Sequence, residues 1–135
     1  MADLKVGLYA FLTGNSNVTD EVGTRIYPLL APATAALPFM TYQRIARQET
    51  AHLTGLSQLV FAAYQFDIWG STVAEAEDAL LAILAELDGY RGLMGTVRIS
   101  RLLVTSILDG LEDPSDGRTL GIWRHTITAD IWFQA

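Results

Sequence analysis

The stretch Leu59-Val60-Phe61-Ala62-Ala63-Tyr64-Gln65-Phe66-Asp67-Ile68-Trp69-Gly70-Ser71-Thr72 decides the fold. Val60, Ala62, Tyr64, Phe66 and Ile68 alternate with Leu59, Phe61, Ala63, Gln65 and Asp67. One face is wholly apolar and the other turns polar toward its end, the two-residue period of a strand packed on a core. Gly70-Ser71-Thr72 then closes the strand and opens a helix. Thr72 with Glu75 three residues on fits a capping box, and Glu75, Glu77 and Asp78 suit the positive end of a helix dipole. Val73, Ala76, Leu80, Ile83, Leu84 and Leu87 form the stripe to be buried, and Gly89 is a natural helix terminator, so the spacing predicts a helix over 72–88. Leu81 falls beside Ala74 and Ala85 on a second, smaller apolar ridge. That ridge is either ordinary surface alanine with one exposed leucine or a contact with a neighbouring subunit.

Upstream, Leu4, Leu8, Phe11 and Leu12 share a face of a short amphipathic helix from Asp3 to Thr13, stopped by Gly14-Asn15. Residues 14–24 read as a polar loop. Arg25-Ile26-Tyr27-Pro28 reads as a short strand, and Pro28, Pro32 and Pro38 make 28–38 an extended connector. A strand is expected from Phe39 to about Arg47, with a hairpin or longer loop at 50–57. Downstream, Gly89, Gly92 and Gly95 punctuate a turn, and Val97 to Leu108 is a strand with mixed faces. Asp109 to Gly117 is a turn region carrying Pro114-Ser115-Asp116-Gly117, and a last strand runs from about Thr119 to Phe133. This order is α+β: one domain over 1–135, an antiparallel sheet of about four or five strands, and two helices packed on its Tyr64/Phe66 face.

The bulk numbers agree. The chain has 135 residues, 50% hydrophobic and 18% charged, enough for one ordinary core, with an apolar excess that hints at burial between subunits. With no cysteine, disulfides, thiolate metal sites and a cysteine nucleophile are excluded. No signal peptide and no apolar run of bilayer length is evident, so a cytoplasmic setting without a membrane is expected. A net charge of −6 leaves no fold-wide basic footprint for gripping nucleic acid, though an acidic protein can stand beside DNA that must pass without sticking.

No chemistry stands out. His52 and His125 lack any partner at metal-ligand spacing and read as surface or satisfied histidines. Ser57, Ser71, Ser100, Ser106 and Ser115 sit in no nucleophile elbow. The glycines at 89, 92 and 95 follow a helix instead of opening one, unlike a phosphate loop. Asp109, Glu112, Asp113 and Asp116 lack the ordered spacing of a calcium loop. They are either a solvated turn or a negative surface facing a lumen or partner. Arg44, Arg47, Arg98, Arg101, Arg118 and Arg124 suit bidentate pairing with carboxylates, across subunits or within one. No enzyme, metal or cofactor is expected.

The pattern as a whole resembles the tail completion family (tail terminator, or tail-to-head joining) of long-tailed bacteriophages and phage-like particles. Four segments carry the likeness, in order along nearly the whole chain. An amphipathic helix precedes Val22-Gly23-Thr24-Arg25-Ile26-Tyr27-Pro28. Then come Ala36-Leu37-Pro38-Phe39-Met40-Thr41-Tyr42-Gln43 and Phe66-Asp67-Ile68-Trp69-Gly70-Ser71-Thr72 leading into Ala74-Glu75-Ala76-Glu77. Gly121-Ile122-Trp123-Arg124 with Ile127-Thr128-Ala129-Asp130-Ile131-Trp132-Phe133 closes it. The resemblance implies a twisted antiparallel sheet with helices on one face. It also implies a homo-oligomeric, hexameric ring on the end of the tail tube, in the virion at the head–tail junction, assembled in the host cytoplasm. Such a ring stops tube polymerisation, meets the head-completion or connector protein, and lets DNA through its lumen without specific binding. Candidate subunit contacts are Ala74, Leu81, Ala85, Pro32, Arg44 and Arg47, and the loops 50–57 and 109–117 are candidates for ordering on docking. The rival expectations are another head–tail junction protein, a small α+β ligand-binding domain and a dimeric regulator.

Overall fold

In the computed structural model the described residues are 4–32, 34–49, 59–112 and 122–134. Helices α1 (Leu4–Thr13) and α2 (Ser16–Val22) lead into strands β1 (Ile26–Pro28), β2 (Phe39–Glu49) and β3 (Leu59–Gly70). Helix α3 (Val73–Leu87) and strands β4 (Gly92–Met94), β5 (Val97–Glu112) and β6 (Ile122–Gln134) complete the chain. The class is α+β as expected, with three corrections to its make-up: among the described residues the sheet has six strands, in the order β1-β2-β3-β6-β5-β4, it is mixed instead of wholly antiparallel, and the helices number three.

The sheet is mixed. β1 runs parallel to β2, Ile26 beside Met40 and Pro28 beside Tyr42, because the extended connector carries the chain back before β2 begins. That connector contains a cis Leu37–Pro38 bond, and its Pro38 carbonyl accepts a 2.8 Å hydrogen bond from Nε of Arg25. All other strand pairs are antiparallel.

The polar loop expected at 14–24 is mostly helix. Asn15 caps α2, its side chain accepting from the Asn17 amide at 3.0 Å, and Val18 and Val22, one turn apart, are buried. Nδ2 of Asn17 donates to Oε1 of Glu86 at 2.7 Å and ties α2 to α3.

The strand-to-helix junction carries the expected Thr72 cap, while the return bond from Glu75 goes to Ser71, one residue before the cap. Thr72 Oγ1 accepts from the Glu75 amide at 3.1 Å, while Glu75 Oε1 accepts from the Ser71 amide at 2.9 Å. A Cβ on Gly70 would lie 2.8 Å from the Ala76 backbone nitrogen, so the chain can turn tightly here only with glycine. Of the expected stripe on α3, Ala76, Leu80, Ile83 and Leu87 are buried and Leu84 is partly so; Val73 is 53% exposed, since it sits in the first turn before the helix reaches the sheet.

The core fills the space between the helices and the face of Met40, Tyr42, Tyr64, Phe66, Ile68, Ile127, Ala129, Ile131 and Phe133, the face predicted to be covered. Gly7 of α1 packs on the β4 turn so closely that a Cβ would lie 2.5 Å from the Met94 carbonyl oxygen. The glycine-punctuated turn thus includes a short strand. β5 is longer than expected, and register shifts between Ile99 and Arg101 and between Val104 and Ser106 account for its mixed faces. The turn expected from Asp109 is strand as far as Glu112. Residues 50–58, with His52 and the 50–57 loop, and residues 113–121, with Asp113, Asp116, Arg118 and the Pro-Ser-Asp-Gly turn, lie outside the described residues.

Candidate assembly surfaces

Each candidate contact residue has a definite place. Ala74, Leu81 and Ala85 form an exposed ridge on the outer side of α3, with Leu81 55% exposed. Pro32 is exposed on the connector beside Leu29 and Leu30. Arg44 and Arg47 are exposed on β2, past the point where β1 ends, and the Arg47 guanidinium lies 5.9 Å over the Phe133 ring. Asp109 is on β5, so β3 and β6 lie between it and the arginines. These groups do not meet within one subunit.

Among the described residues, clefts open on both faces of the sheet. One, of about 330 Å³, lies between the connector and the face away from the helices, with Leu29, Pro32, Phe39, Thr41 and Trp69 in its walls. Thr41 is buried beneath the connector, and the indole Nε1 of Trp69 is buried with no hydrogen-bond acceptor among the described residues. The other, of about 320 Å³, opens where α3 starts and is lined by Val73, Glu77, Asp109, Leu111, Trp123 and His125.

His125, read from sequence as surface or satisfied, is 7% exposed. Its Nδ1 lies 2.7 Å from Asp109 Oδ1; a carboxylate can only accept, so this nitrogen carries the proton. Nε2 is 3.3 Å from Glu77 Oε2, within ion-pair distance but outside hydrogen-bond geometry, and is otherwise buried without a partner among the described residues. Among the described residues no group of three or more His, Cys, Asp or Glu side chains is placed to hold a metal ion. Among the same residues no helix is long and apolar enough to cross a membrane.

Sequence reasoning missed the apolar end of β5, where Ile107, Leu108 and Leu111 are 45%, 63% and 53% exposed. The signal was the mixed-face pattern itself, in which adjacent leucine and isoleucine cannot both face one core. On the opposite rim, Ile45 at the β2 register shift is 49% exposed.

Fold and surface together define a class: a small α+β chain that exposes both apolar and charged side chains along β2 and β5, on opposite sides of one sheet. The sequence profile of the family described as "Tail completion protein gp17" matches residues 6–112, and the chain belongs to that family of structural proteins of phage virions. No curated protein matches it in sequence. Among solved structures, a chain of one described as "Virion of native gene transfer agent (GTA) particle" is 14% identical with a TM-score of 0.65, covering 95% of this chain and 92% of that one. A second solved chain is 12% identical with a TM-score of 0.52, covering 98% of this chain and 95% of that one. At such identities the likeness is one of fold.

Proposed function

We propose that this chain caps the end of a phage tail tube as a ring, stops tube polymerisation, and forms the surface to which the head connector attaches. The family match over residues 6–112 carries this reading. The exposed apolar side chains support it, because a subunit flanked by two copies of itself buries what a solitary chain leaves in water. The expected ring is hexameric. Its subunit contacts involve the ridge of Ala74, Leu81 and Ala85, the connector at Pro32, and Arg44 and Arg47. The acidic residues Asp109, Glu112, Asp113 and Asp116 are the candidate lumen or partner surface. The net charge of −6 disfavours capture of the DNA that threads the lumen. The protein works by shape and association, without catalysis or cofactor.

The test adds purified protein to polymerising tail tube subunits and follows tube length by electron microscopy. Capped tubes of arrested length are expected, with added mass at one end. Tubes that grow unchanged while the protein binds portal or connector particles would overturn the capping role in favour of a head-completion role.

A further inference from the structure

The strand registers define rows across the sheet, and its rims are covered unevenly along them. One row runs Met40, Ile68, His125, Asp109; a higher one runs Arg44, Tyr64, Ala129, Val104. β1 flanks β2 only at residues 40–42, and Leu29 N–H adds one bond to the Tyr42 carbonyl. β4 flanks β5 only at Val97–Ile99. Just beyond, the Leu102 carbonyl accepts from Gly89 N–H at 2.8 Å and Val104 N–H donates to Asp88 Oδ1 at 3.0 Å. Among the described residues no strand lies outside β2 past Tyr42, and none outside β5 past Val104. The bare stretches therefore sit at diagonally opposite corners.

The outward Leu102 carbonyl fixes the phase of β5. Antiparallel strands alternate which residues bond to which side, and the extra residue at Thr105 shifts the count by one. The backbone N–H and C=O of Ile107, Asp109 and Leu111 thus point away from β6. A long apolar rim of this kind is a template for pairing unless proline, lysine or a covering segment blunts it. Residues 105–112 contain neither proline nor lysine.

We propose that the bare rim of β5 is covered by the bare rim of β2 from a second copy of this chain, so that one sheet continues from subunit to subunit. This rests on the reading of the protein as a ring. Direction fits: β2 and β5 run opposite ways, so a copy set alongside in the same orientation pairs antiparallel. Face fits: Arg44 and Arg47 stand in register with Tyr64 and Ala62 on the helix-covered face, which also carries Ile107, Asp109 and Leu111. Charge fits: a step of about six residues along the strands, roughly 20 Å, sets Arg47 opposite Asp109 and Arg44 opposite Leu111. The Asp109 side chain is 82% exposed and already aimed by His125. The same step sets Gln48 opposite Leu108 on the other face.

The test uses the full-length chain, with ring assembly read by native mass and sedimentation. Arg47→Asp and Asp109→Arg should each raise the concentration needed for assembly at least tenfold, and the double reversal should restore most of it. Leu111→Pro deletes only an N–H that β6 does not use, so it should keep the circular dichroism of the native fold and lose assembly. The chain has no cysteine, so Gln48→Cys with Leu108→Cys should give a covalent ladder of multimers on oxidation, and neither single change should. Rings of native mass from Leu111→Pro and both charge reversals, with no ladder, would overturn the strand pairing and leave the ring standing. A native chain that forms no oligomer, alone or on tube ends, would remove the ring and the pairing together.

Discussion

Oδ1 of Asp109 lies 2.7 Å from Nδ1 of His125, directly across the β5–β6 ladder. The bond joins a largely exposed carboxylate to a buried ring, so one side chain serves both the subunit interior and its rim. Asp109→Ala would leave a buried N–H without an acceptor and should cost about 1 kcal/mol in urea unfolding. Asp109→Asn keeps an acceptor and should cost little. No loss from Asp109→Ala would mean that the bond contributes nothing.

Thr72 accepts from the Glu75 amide at the start of α3. Thr72→Ala should destabilise the protein by about 1 kcal/mol, and Thr72→Ser should recover most of it. Thermal unfolding of the three chains measures this.

Gly7 meets the Met94 carbonyl with no room for a methyl group. Gly7→Ala should cost roughly 1–3 kcal/mol through displacement of α1 from the β4 turn, despite alanine's better helix propensity. A stabilised variant would show that the turn yields freely.

The hydrogen bonds from Asn17 and then Asn15 hold the Glu86 carboxyl below its ordinary pKa. A group whose pKa is depressed by folding adds stability above its unfolded pKa and loses it as pH falls through the folded one. Asn17→Ala should therefore flatten the loss of stability on acidification from about pH 5 downward. An unchanged acid limb would show that the α2–α3 bond is not made in solution.

Leu81 projects from α3 away from the core. Leu81→Asp should leave monomer stability within about 0.5 kcal/mol of the native chain and weaken ring assembly. Native assembly with Leu81→Asp would remove the α3 ridge from the interface.

Legibility in the sequence followed locality. β3 and α3 could be read because their periods are unbroken over 59–70 and 73–87 and their ends carry their own signals, Gly70 and Thr72. α2 was harder, since seven residues offer only Val18 and Val22 as a stripe. The parallel pairing of β1 could not be read, because three residues say nothing about which neighbour they join. β5 hid its length: its register shifts break the two-residue alternation that marks a strand, so Asp109–Glu112 looked like part of a turn. Arg44, Arg47 and Asp109 could be picked out as chemically suited to contacts. Their separation onto opposite rims depends on strand order, which no local pattern encodes.

The diagonal placement of the two bare rims has a consequence for counting. In the proposed pairing the two rims lie on opposite sides of one sheet, so two copies cannot close on each other; joining one rim leaves its opposite vacant at the far end. Such a string has no natural stopping number until its ends meet. On the proposed pairing, the number of copies would be set by how sharply the sheet bends from one member to the next, not by any single side chain.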